Sequence, residues 1–148
     1  MEINKEFRGL LKGENIRNYI EGGHATITLE SPSGRHYTYA FNKPVNPSAK
    51  YRTTPDFRFV KVHFDGDWIY IGTYRNNGVS QFNATKTGLL PEWHEAVKGA
   101  YYIIKMCNNP DLDTPMSLYH EGVCCRCGRK LTDPKYIKLG IGPKCAKM

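Results

Sequence analysis

Cysteine spacing constrains this 148-residue chain more than any other feature. Near its end the chain reads His120-Glu121-Gly122-Val123-Cys124-Cys125-Arg126-Cys127-Gly128-Arg129, and later Gly140-Ile141-Gly142-Pro143-Lys144-Cys145. Cys124 and Cys127 have the spacing of a C-x-x-C-G knuckle, in which a glycine lets the backbone fold back behind the second cysteine and both thiolates face one point. Cys145 follows a Gly-x-Gly-Pro turn, a sequence suited to the start of a short helix whose positive end favours a thiolate. These residues predict one structural zinc, with His120 as the simplest fourth corner of a closed Cys3His site. A redox role for the C-x-x-C pair needs a βαβ context that the segment lacks. Adjacent thiols can trade places, so Cys125 stays open as a replacement ligand. A knuckle on Cys125 and Cys127, however, has one intervening residue and is too tight. Cys107 lies upstream on an expected helix and reads as a small core residue.

The string Cys-x-x-Cys-Gly-Arg-Lys-Leu-Thr-Asp-Pro from Cys124 to Pro134, closing with Gly-Ile-Gly-Pro-Lys-Cys at 140 to 145, resembles a small zinc module of unassigned chemistry. That module recurs in phage proteins and beside some helicase-like domains. Its members usually carry a serine where this chain has Tyr136. The resemblance covers only the tail, and implies a phage or prophage source rather than an activity.

A chain of this length is one domain, or one domain with an appendage, and can bury a sizeable core. Its 40% hydrophobic and 24% charged residues describe an ordinary globular protein. No apolar run reaches membrane-spanning length, and Met1-Glu2-Ile3-Asn4-Lys5 has no secretory character, so the expectation is a cytoplasmic protein with reduced thiols, which favours metal over disulfide. The phage resemblance implies that this is the cytoplasm of a bacterial host, and a monomer is expected there. The net charge is +7. From Met116 onward seven basic side chains face two acidic ones, so this stretch carries +5 of that total. Three thiolates holding one zinc(II) lower it to +4. Such a module invites nucleic acid or an acidic protein surface.

Along the chain, Ile3, Phe7, Leu10 and Leu11, then Ile16, Tyr19 and Ile20, follow helical spacing interrupted at Gly13. From His24 the period becomes two. Ala25, Ile27 and Leu29 alternate with polar residues, and a Ser-Pro-Ser-Gly turn leads into residues 35 to 41 as a hairpin. A loop runs from Asn42 to Asp56, strands are expected at 57 to 64 and 68 to 74 around Asp65-Gly66, and a fifth at Val79 to Lys86. A helix is expected from Pro91, with Trp93, Val97, Ala100, Ile104 and Cys107 on its apolar face. The fold class is α+β: an antiparallel sheet of five strands packed by one or two helices, with a treble-clef-like zinc module. The body is placed at 1 to 110 and the module at 116 to 148.

Enzyme signatures are absent. There is no G-x-S-x-G, no phosphate-binding glycine loop and no H-E-x-x-H, and His120-Glu121 lacks zinc-deaminase spacing. Tyr37, Tyr39 and Phe41, with Trp68 and Tyr70, could stack nucleic-acid bases, but the preferred reading is that these rings fill the core beneath the helix. His24, His36, His63 and His94 read as surface residues. As a whole the chain is similar to small zinc-containing anti-CRISPR proteins of streptococcal phages and prophages. That likeness implies an inhibitor that grips the type II CRISPR effector nuclease by protein contact and blocks its DNA loading or cleavage. It carries over no binding-surface residue. The candidate contacts come instead from charge: Arg126, Arg129, Lys130, Lys135 and Lys138. Basic charge argues against DNA mimicry. The other class is a DNA- or RNA-binding accessory protein of phage replication or transcription.

Overall fold

The computed structural model of the chain describes residues 8–43, 58–86, 88–142 and 145. Seven strands form one antiparallel sheet in the order β1-β7-β2-β3-β4-β5-β6. They are β1 (Gly9–Leu10), β2 (His24–Glu30), β3 (His36–Asn42), β4 (Arg58–Phe64), β5 (Asp67–Asn76), β6 (Ser80–Ala84) and β7 (Ser117–His120). Three helices accompany them among the described residues: α1 (Glu14–Ile20), α2 (Glu95–Asn108) and α3 (Pro134–Leu139). None is long and apolar enough to cross a membrane.

The period-two pattern decides which face of the sheet is buried. In β2, Ala25, Ile27 and Leu29 point inward, and the β2–β3 register sets Ile27 opposite Tyr39 and Ala25 opposite Phe41. Val60 and Val62 of β4 continue this face opposite Phe41 and Tyr39. Asp65 and Gly66 both have positive φ, as the tight β4–β5 turn requires. Helix α2 lies across this inner face. Its Ala96, Val97, Ala100, Ile103, Ile104 and Cys107 are buried, and the Tyr39 hydroxyl donates to the Ala96 carbonyl. Each of the larger apolar side chains here, such as Val97, Ile103 and Ile104, contributes about 1.5–3 kcal/mol when fully buried.

Helix α1 closes one end of the core with Ile16, Tyr19 and Ile20. Arg17 donates to Ser80 Oγ at 3.0 Å and to Asn108 Oδ1 at 2.8 Å, tying α1 to β6 and to the end of α2. The buried Arg58 of β4 donates to the Glu21 carbonyl at 2.7 Å, at the C-terminal end of α1 where carbonyls need a cationic partner.

The antiparallel sheet with helices on one face agrees with the α+β expectation. The strand count rises from five to seven because two short strands carry no readable alternation. Gly9–Leu10, expected within a helix, instead pairs with β7; Leu10 sits opposite Tyr119. Ile3 and Phe7, and all of the 42 to 56 loop beyond Lys43, lie outside the described residues. Helix α2 starts four residues later than expected, with His94 as N-cap accepting the Ala96 N–H through Nδ1 at 3.0 Å. Trp93 precedes that cap and is 72% exposed, so it does not belong to the buried face. The placement of the module's start at 116 meets the sheet itself: β7 sits between β1 and β2 and pairs with both.

Candidate metal centre

After β7 the chain leaves the sheet and forms a small hairpin. The Cys124 N–H donates to the Arg129 carbonyl at 2.8 Å and the Gly128 N–H to the Cys124 carbonyl at 2.9 Å, while Val123 bridges Lys130. Gly128 has φ +79°, the left-handed conformation that lets the chain reverse directly behind Cys127. Helix α3 follows, with Asp133 as N-cap, Pro134 at its first turn and Gly140 as its left-handed C-cap. The chain then returns so that Gly142 lies beside Cys124 Sγ.

This path brings three of the four expected ligands together. The sulfurs of Cys124, Cys127 and Cys145 all lie within 4.8 Å of one another. Around one tetrahedral metal with bonds of about 2.3 Å, sulfurs sit about 3.8 Å apart, so a modest inward adjustment seats an ion. The donor set is three soft thiols and no carboxylate, which suits a thiophilic cation rather than calcium or magnesium. Burial opposes ionisation of the Cys124 thiol, but hydrogen bonds from the backbone N–H groups of Gly142, Cys127 and Arg126 more than offset it, bringing the pKa down to about 7. Burial, followed by the neighbouring thiols of Cys127 and Cys124, pushes Cys145 up to about 11. One thiol is thus readily ionised and crowds the others, a repulsion that a cation relieves.

His120 is not gathered into the cluster. Its ring is fully buried on β7, where Nδ1 accepts the Gly122 N–H at 3.1 Å and Nε2 donates to the Ile137 carbonyl. Both nitrogens are committed, and the ring stacks on Tyr19 with centroids 5.1 Å apart. An Nδ1 that accepts carries no proton, so the imidazole is neutral, and burial lowers its pKa against the smaller opposing effect of the Ile137 bond. The expectation that His120 completes a Cys3His site therefore does not match this geometry. Its role is to bridge the sheet, α1 and α3.

Cys125 is not part of the thiol cluster. It packs in the body's core, where burial and the Cys124 charge push its pKa up to about 11. A Cβ on Gly22 would lie 2.5 Å from the Cys125 carbonyl and 2.6 Å from its sulfur, so only glycine permits this contact. Cys107 is likewise buried in the core, with its thiol pushed up to about 12 by burial.

Tyr19, Gly22 and His24 form the seat beneath the module, and none carried a sequence signal toward it. The Tyr19 hydroxyl donates to the Val123 carbonyl at 2.7 Å, and the His24 N–H to the Cys125 carbonyl at 2.7 Å. Arg8 braces the neighbouring strand, stacking over Tyr119 and pairing with Glu30 at 3.2 Å and Glu121 at 3.4 Å. Arg126, Arg129, Lys130, Lys135 and Lys138 are all exposed.

Residues 115–148 match the model of a family of unknown function, DUF6011. The matched unit therefore begins with β7 and includes the strand as well as the thiols. No curated protein and no solved structure matches the chain.

Proposed function

We propose that this chain is a nucleic-acid-binding protein in which one zinc ion, held by Cys124, Cys127 and Cys145, has a structural role. The observation that carries this reading is the exposed basic surface of the module: Arg126, Arg129, Lys130, Lys135 and Lys138 all reach solvent on a segment with a net charge of +5 in a chain of +7. Phosphates are the partners that such a surface attracts most strongly. The zinc fixes the loop that bears Arg126 and Arg129, and thereby the spacing of their charges. The protein acts by binding, as a monomer in the cytoplasm of a bacterial host infected or lysogenised by a phage, and performs no covalent chemistry.

A second reading rests on the same five side chains together with the likeness to anti-CRISPR proteins. In it the basic surface grips an acidic face of the type II effector nuclease and suppresses DNA cleavage by position alone. Affinities of the zinc-loaded protein for labelled DNA and RNA, and for the nuclease, measured in one buffer over a range of salt, decide between them. The first reading predicts tight nucleic-acid binding whose logarithm falls steeply with the logarithm of salt. Binding to the nuclease alone would transfer the function to the second.

A further inference from the structure

The sheet has two faces, and only the inner one carries α1 and α2. On the outer face of β4 and β5, Trp68 is 42% exposed and Tyr70 is 39% exposed, although large aromatic rings ordinarily find cover. The register explains why they share that face. Trp68 lies opposite His63 and Tyr70 opposite Lys61, while their neighbour Ile69 pairs with Val62 and turns inward. The rings are held in place: His63 and Trp68 meet edge-to-face at 5.2 Å, and Phe59 and Tyr70 at 6.0 Å. A guest therefore meets ordered rings with little entropy left to lose.

We infer that this outer face is a stacking platform for single-stranded nucleic acid, centred on Trp68 and Tyr70. The inference rests on the nucleic-acid reading above and adds the surface and the form of the ligand. Residues two apart on one strand stand about 7 Å apart, twice the about 3.4 Å rise between stacked bases, so the two rings accept bases splayed from one another and not a duplex stack. The exposed Lys61 sits on β4 between Phe59 and His63, opposite Tyr70, and Arg75 lies further along the same face by register. Aromatic rings interleaved with basic side chains on a sheet face that no described helix covers match the two halves of a nucleotide, base and phosphate. The acidic residues of this hairpin, Asp65 and Asp67, sit at its turn, so the strand's path runs from Trp68 toward Arg75. An apolar peptide would gain from the rings but not from Lys61, and an acidic protein surface would gain from Lys61 but not from the rings.

The test uses the full-length, zinc-loaded protein and fluorescence anisotropy with labelled oligothymidine, oligouridine and a duplex of the same length. Wild-type protein should bind at least one of the single strands more tightly than the duplex. Trp68→Ala and Tyr70→Ala should each weaken that binding about tenfold with the melting temperature little changed, as expected for stacked bases on exposed rings. Trp93→Ala, which removes the other exposed tryptophan from the helical side, should leave it unchanged. Lys61→Gln should reduce the salt slope by about one phosphate contact. Unchanged single-strand affinity in a Trp68→Ala/Tyr70→Ala double variant would overturn the platform while leaving nucleic-acid binding through the module intact. Equal affinity for duplex and single strand would also overturn it. Absence of binding to all three ligands would remove both this inference and the reading beneath it.

Discussion

His120 illustrates how far residue identity goes in predicting chemistry. Spacing along the chain made His120 the natural fourth ligand, because four residues before a knuckle cysteine is within reach of the same metal. The fold commits both of its nitrogens to backbone groups instead. His120→Ala is therefore expected to retain the metal while costing about 3 kcal/mol of stability, through the lost stack on Tyr19 and the orphaned Ile137 carbonyl. Metal content by mass spectrometry and a denaturant melt separate the two effects. Loss of metal in that variant would restore His120 to the coordination shell. Cys124→Ser and Cys145→Ser should release the metal, whereas Cys125→Ser should keep it and lose about 1 kcal/mol by placing a hydroxyl in the core. The three clustering thiols were legible from C-x-x-C-G and the later Gly-Pro-x-Cys because those patterns are local. The surroundings of His120 were not, since Tyr19 and Ile137 come from distant parts of the chain.

Among the elements, those with long, clean periodicity were readable and the short ones were not. β2 and β3 alternate over seven residues each, and α2 repeats its apolar positions over four turns, so pattern alone located them. β1 has two residues and β7 four, too few to show a period, and their pairing is set by tertiary context. That missed pair matters, because β7 joins the cysteine hairpin to the body. Removing residues 116–148 should not leave a folded body, since it strips the strand between β1 and β2 and opens both to solvent. A cooperative melt of the 1–115 fragment with native-like far-ultraviolet circular dichroism would contradict this. The contact between α1 and the hairpin makes its own prediction. Gly22→Ala should cost about 2 kcal/mol by forcing a methyl group into Cys125, and should speed the reaction of Cys125 with a thiol reagent while the metal stays bound.

For the molecule as a whole, the sheet, α1 and the cysteine hairpin form one structure with the three clustered thiols in its hairpin. The Tyr19 hydroxyl on Val123 and the His24 N–H on Cys125 link body and hairpin across segments far apart in sequence. Sequence composition divided these regions, because the basic, cysteine-bearing tail differs so clearly from the balanced body. Packing joins them, through contacts that no local pattern announces. A metal bound only by the folded state stabilises everything that unfolds with it. Both tryptophans lie in the body, Trp68 on β5 and Trp93 just before α2, so their fluorescence reports on the body and not on the tail. Thermal unfolding followed at these tryptophans, with and without a strong chelator, is thus the most direct measurement. One cooperative transition that shifts to lower temperature on removal of the metal is the predicted result. A tryptophan transition that stays in place while the metal is lost would show that the ion serves the tail alone, and would contradict the account.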